Sequence, residues 1–317
     1  MNTQWSAAMN LAAPIVNAPM GGVAGGELAA AVSRAGALGM IGIGSSGSAA
    51  QLREHLRHTA NLQRPFGIGL ISWVAEKDPE LLPTALEAGP ALLSVSFGED
   101  WSWVRRARDA GCVTATQVAD LGAAQRAVDA GVEVLVARGA EGGGHGRPAV
   151  ATLPLLTALL DRFPVPVLAA GGVASGRALA AVLAAGAAGA WIGTAFAVCP
   201  ESTLPGPARD RMLAADGADT VTTRAFDVAL GYPWPADLPE RVLRNAFTDV
   251  WDGRVEDLDD AARALLGRAI AGDDYRWAPV NAGQGVGEVT VSEPAAAVVG
   301  RLVEGARRIL ANVPSRS

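Results

Sequence analysis

Short runs of Val, Ile and Leu alternate along the chain with longer amphipathic runs of Ala, Leu and Arg. This alternation predicts βα units around a parallel sheet. Strands are expected near 14–20, 38–44, 66–73, 92–98, 113–118, 133–139, 165–172 and 189–196. The helical runs share a stop signal: Ala-Gly closes them at 35–36, 88–89, 110–111, 130–131 and 185–186, and a strand follows within a few residues each time. Glycine just past a helix takes the left-handed conformation that ends it. Eight strands joined by helices predict an α/β fold, a closed (β/α)8 TIM barrel, with an open doubly wound sheet as the competing architecture.

After the eighth strand the rhythm fails. Residues 199–287 bring Pro clusters, aromatic residues and two expected helical stretches, 239–250 and 258–271, before an amphipathic helix at 293–310 resumes where the last barrel helix belongs. The expected organisation is a barrel domain of 1–198 and 288–317, with a smaller, mainly helical substrate-domain insert at 199–287. An insert at this point lies over the C-terminal face, where barrel enzymes build their sites. Residues 313–317 read as loose.

Composition narrows the partners. Of 317 residues, 50% are hydrophobic and 18% charged, which suits one large domain with a sizeable core. The net charge of -6 and the scatter of basic residues give no electrostatic footprint for nucleic acid or a membrane surface. No signal-peptide pattern and no unbroken membrane-length apolar run occur, so a cytoplasmic protein with a small-molecule ligand is expected, as monomer or homodimer. Cys112 and Cys199 lack CxxC spacing and nearby His, so both read as buried thiols and no metal ion is assigned.

The expected strand ends are rich in glycine. The first ends in Asn17-Ala18-Pro19-Met20-Gly21-Gly22, and the sixth in Arg138-Gly139-Ala140-Glu141-Gly142-Gly143-Gly144-His145-Gly146. The seventh ends in Ala170-Gly171-Gly172-Val173-Ala174-Ser175-Gly176, and the eighth contains Trp191-Ile192-Gly193-Thr194. A Gly-rich turn before a helix, followed one unit later by Ile-Gly-Thr, suits a phosphate: backbone N–H groups approach the anion where no Cβ intervenes, and the helix N-terminus adds its dipole. Neither a Walker loop nor a dinucleotide fingerprint is present.

Of three histidines, only His145 falls at a strand end; His55 and His58 lie in a polar helical stretch and read as solvated. An unperturbed imidazole titrates near ~6.5, so His145 in a site can take or give a proton at neutral pH. Glu141 could orient that imidazole or pair outside the site, and Gln117 could meet a heterocycle edge or water. Phe226, Tyr232, Trp234, Trp251, Tyr275 and Trp277 could wall an apolar pocket or fill the insert's own core.

At these residues the chain resembles the nitronate monooxygenase (2-nitropropane dioxygenase) family nearly end to end. Pro14 to Val23 with Glu27 to Gly39 resembles its first strand and helix, Gly139 to Gly146 its histidine motif, and Ala170 to Arg177 with Gly193-Thr194 its phosphate motif. Thr223-Arg224-Ala225-Phe226-Asp227 and Pro233-Trp234-Pro235 resemble segments of the family's insert. The resemblance implies an FMN-dependent oxidoreductase that oxidises alkyl nitronates with O2, His145 acting as base or positioning the substrate.

It also implies non-covalent FMN at the barrel mouth, its phosphate near Gly172, Gly193 and Thr194 and its ring near Met20, Gly21 and Gly143. Ala18, Pro19, Gly69, Gln117, Arg138, Gly139, Gly171, Trp191 and Ile192 complete the expected surroundings. Three positions depart from the family: Asn is common where Gly69 ends the third strand, and Gln where Arg138 and Trp191 stand. Arg138 could thus bring a positive charge to the flavin. An NAD(P)H-dependent enoyl-thioester reductase on the same barrel, a non-redox phosphate-binding barrel and a flavin binder without turnover are the competing functions.

Overall fold

The structure, a computed structural model, describes residues 1–312; the segment 313–317 that reads as loose lies outside the described residues. Eight parallel strands form the expected barrel: β1 (Ile15–Asn17), β2 (Gly39–Gly42), β3 (Phe66–Ile71), β4 (Leu92–Ser96), β5 (Val113–Val118) and β6 (Val134–Arg138). A two-residue strand β7 (Gly144–His145) leaves the barrel, which then continues with β8 (Val167–Ala170) and β9 (Gly189–Ile192). The barrel order is β1-β9-β8-β6-β5-β4-β3-β2.

A single parallel bridge, Val16 to Leu38, closes the ring and rules out the open sheet. At this seam one side chain replaces ladder bonds. The fully buried Asn17 accepts from Met40 N–H at 2.7 Å and donates to Met40 O at 3.0 Å and Ala18 O at 3.1 Å. A buried amide survives here because both of its ends are paired.

Inward residues Val16, Leu38, Met40, Leu92, Ala115, Val136, Leu168 and Trp191 fill the barrel. An N-terminal helix, Gln4–Ala8, which the hydrophobic pattern did not reveal, adds Trp5 to this cluster, and Thr3 Oγ1 donates to Ala188 O, just before β9, at 2.6 Å. The barrel is therefore plugged at the N-terminal ends of its strands and open at the other. All five Ala-Gly stops are real, with Gly36, Gly89, Gly111, Gly131 and Gly186 at positive φ.

Most of the strands are shorter than expected, and two of the expected ones run on into helices. Ser72 starts a helix, Ser72–Lys77, and Thr194 starts another, Thr194–Ala197, because both chains turn at the barrel rim as soon as the ladder ends. The larger correction is at 239–250. Glu240–Leu243 is a strand, β11, antiparallel to β10 (Thr220–Thr223) and to β7, and a helix begins only at Ala246. Asn245 is the stop between the two periods: its side chain caps that helix by accepting from Phe247 and Thr248 N–H. The expected helices at 258–271 and 293–310 form as Asp260–Ala271 and Ala295–Ala311.

Candidate functional site

The C-terminal ends of the barrel strands surround a cavity of about 410 Å³, within the size range of small-molecule sites. Its wall takes in Ala18, Pro19, Met20 and Gly21 after β1, Gly69 from β3, Gln117 from β5, and Arg138, Gly143 and His145 from β6, β7 and the loop between them. Gly171 and Gly172 after β8 and Trp191, Gly193 and Thr194 from β9 and its end complete it. Gly139 and Ile192 are not in the wall: Gly139 is packed on Thr152, and Ile192 points into the layer between barrel and helices.

His145 is held from three sides. Its backbone pairs with Glu240 on β11. Its Nε2 lies 2.9 and 3.0 Å from the two carboxylate oxygens of Asp227, on the helix Ala225–Leu230. Its ring stacks on Trp234, centroids 3.6 Å apart and 7° from parallel. Trp234 is fixed in turn by an indole N–H bond to Ser45 Oγ at 3.0 Å and by edge contacts with Trp73 and Phe97. Phe97 itself has φ of +71°, unusual for a bulky residue and a mark of strain beside the cavity.

Glu240 completes the group, with one atom from each of His145, Asp227 and Glu240 lying within 4.8 Å of the others. Burial, then the charge of Asp227, pushes the Glu240 carboxyl well above the usual carboxylate range, against a weaker opposing hydrogen bond from Asn281. Both causes favour its neutral form.

Several expectations at this site change. Glu141 neither orients His145 nor forms an ion pair among the described residues: its carboxylate accepts from the N–H of Thr152 at 2.6 Å and from the Thr152 hydroxyl, at the start of the helix Thr152–Arg162. Arg138 is buried, and its guanidinium donates to the carbonyls of Gly142 and Gly144 at 2.8 Å, Gly143 at 3.2 Å and Gly139 at 3.3 Å. Its charge is spent on clamping the histidine loop. Desolvation, helped by Arg241, lowers its pKa to about 10, so it stays charged at neutral pH.

Gly69 does not end β3, which runs to Ile71, and a Cβ there would stand 2.2 Å from Cγ of Pro19. A side chain at 69 therefore cannot be added without displacing the proline ring packed against it. His58 is exposed as expected, but His55 is half-buried, and burial is the main cause of its lowered pKa. Of the aromatic residues, Trp234 and Tyr275 line the cavity, while Phe226, Trp251 and Trp277 pack in the separate core of the 199–287 segment. Tyr232 is in neither.

Asp227 and Glu240 were missed as partners of His145. The signal for Asp227 was a lone acid in the otherwise apolar helix Ala225–Leu230; Glu240 was hidden by the mistaken helical reading of its strand. Both cysteines are buried, and burial pushes the Cys199 thiol up to about 12. No helix among the described residues is long and apolar enough to cross a membrane.

The sequence model of the family described as nitronate monooxygenase matches residues 2–81 and 78–305. A nitronate monooxygenase of Pseudomonas aeruginosa is 32% identical, covering 97% of this chain and all of the relative. Among solved structures, FabK from Thermotoga maritima superposes with a TM-score of 0.83 at 27% identity, covering 98% of each chain. A nitroalkane oxidase from Streptomyces ansochromogenes gives 0.82 at 29% identity, covering 96% of this chain and 99% of the other.

Proposed function

Because this chain belongs to the nitronate monooxygenase family, we propose that it oxidises small alkyl nitronates with O2, using FMN bound in the barrel mouth and His145 as its proton-handling residue. The observation that carries the reading is His145 itself, a cavity-lining imidazole whose Nε2 is engaged by Asp227 while Nδ1 has no protein partner among the described residues. Bound FMN supplies the two-electron acceptor that passes reducing equivalents from the organic substrate to O2.

The residues present fit such a group. Gly171 and Gly172 adopt φ of +112° and +71°, so the turn after β8 presents backbone without side chains. The helix Gly176–Ala184 that follows has Ser175 as its cap and an N-terminus suited to a phosphate. The Thr194 hydroxyl accepts from Gly283 N–H at 3.0 Å and keeps its own proton to donate. Met20, Gly21, Gly143 and Trp191 are the residues we assign to the flavin ring, and Gln117 to a ring-edge hydrogen bond.

His145 then acts on the substrate. With its Nε2–H donated to Asp227, the Nδ1 lone pair accepts the α-proton of a neutral nitroalkane, and the imidazolium so formed holds the resulting nitronate anion. Trp234 covers one imidazole face and keeps water from it, and Arg138 fixes the loop that carries the ring. Oxygen uptake on adding an alkyl nitronate tests the reading. We expect sustained uptake by the wild type and a loss of about 10²–10⁴-fold with neutral nitroalkanes in His145→Asn, the usual worth of a general base. Full turnover of that variant on both substrate forms means the role given to His145 is wrong.

A further inference from the structure

The group behind His145 has a purpose that a lone base does not need. We propose that Asp227 is a positioning residue that fixes His145 as the Nε2–H tautomer, leaving the Nδ1 lone pair for substrate in the cavity. The proposal rests on the reading of His145 as the proton-handling residue and adds what sets its state.

The geometry supports it from three directions. Both Asp227 oxygens lie within 3.0 Å of Nε2, so the carboxylate can only accept there, and the proton must sit on that nitrogen. The contact is shielded, with the two side chains 13% and 7% exposed, so water does not compete for the Nε2 proton. A 180° turn of the ring within its stack on Trp234 would put Cε1, not Nδ1, against Asp227, so Nε2 is the ring nitrogen that serves this carboxylate.

Glu240 bears on the same point. Two ionised carboxylates this close in a buried site would repel, which favours the neutral form of Glu240. The group then carries one negative charge, on Asp227, which matches the single positive charge that appears when a substrate proton moves to Nδ1. The other charged groups nearby, the guanidiniums of Arg138 and Arg241, are turned onto loop carbonyls, Arg241 onto Ala140 O at 3.1 Å.

The test is ¹⁵N NMR of the imidazoles in the purified protein, read without added substrate, with His145 assigned by its loss in His145→Asn. At a pH where the ring is neutral, we expect the proton on Nε2 in the wild type. In Asp227→Asn the amide can donate to Nε2, and the proton should move to Nδ1. Turnover of neutral nitroalkane should fall about 10²–10⁴-fold in kcat with little change in KM, and Asp227→Glu should recover part of it.

A wild-type proton on Nδ1 overturns the proposal whether or not any variant folds. So does an Asp227→Asn variant that keeps kcat within threefold, and so does a stoichiometric metal ion in the purified protein, which would displace the Nε2 proton. Because the tautomer is read without substrate or turnover, a failed oxygen-uptake assay would count against nitronate oxidation alone and leave this result standing.

Discussion

Replacing Arg138 by Met sets two large effects against each other. The guanidinium satisfies Gly142 O and Gly144 O at 2.8 Å and reaches Gly143 O and Gly139 O at longer range. Gly143 is exposed and can turn to water; Gly142 is buried and Gly144 half-buried. Two carbonyls thus lose their partner, at about 1–3 kcal/mol each, for a loss of roughly 2–6 kcal/mol. Against this, no carboxylate pairs with Arg138 among the described residues, and removing a buried unpaired cation relieves a desolvation cost of up to several kcal/mol.

The carbonyls win because they already replace the cation's hydration, and only part of the desolvation cost remains to be relieved. A net destabilisation of about 2–4 kcal/mol is expected for Arg138→Met. Arg138→Gln, with one amide able to reach two carbonyls, should lose about half as much. Urea unfolding followed by circular dichroism measures both. A Met variant as stable as the wild type, or more so, would show that burial cost dominates and that the loop does not depend on this clamp.

Asn17→Ala should cost about 2–5 kcal/mol in the same assay, because it orphans the buried N–H and C=O of Met40 at the β1–β2 seam. A loss under about 1 kcal/mol would mean the seam holds without it. Gly69→Ala should destabilise by about 1–3 kcal/mol through its contact with the Pro19 ring, and the cost should shrink in a Pro19→Gly background; simple additivity would refute the clash. Glu240 makes a pH-signed prediction. Its carboxyl is raised in the folded state, so ionisation of the unfolded chain erodes stability as pH rises from about 4.5. Glu240→Gln should therefore raise the melting temperature at pH 7 and not at pH 4, and an equal effect at both would contradict a neutral Glu240.

The barrel was legible because its signals are local: apolar runs of strand length, and Ala-Gly stops at which every glycine proves left-handed. His145 was legible because one titratable group in a run of glycines has few other uses. Its partners were not. Asp227 lies 82 residues away on a segment whose path over the barrel no periodicity encodes, and Glu240 sits on a four-residue strand too short to show alternation. Arg138 was placed correctly at the cavity and misread in purpose, since a sequence shows a charge but not the carbonyls that surround it. Gly69 gains its explanation only from Pro19, 50 positions earlier, across the cavity wall.

Anaerobic titration of the purified, FMN-loaded protein tests whether electrons pass directly from a nitronate to the flavin. An alkyl nitronate alone should bleach the flavin absorption, and admitting air should restore it. Bleaching by NADPH but not by the nitronate, or a protein that remains colourless after incubation with FMN, would contradict it.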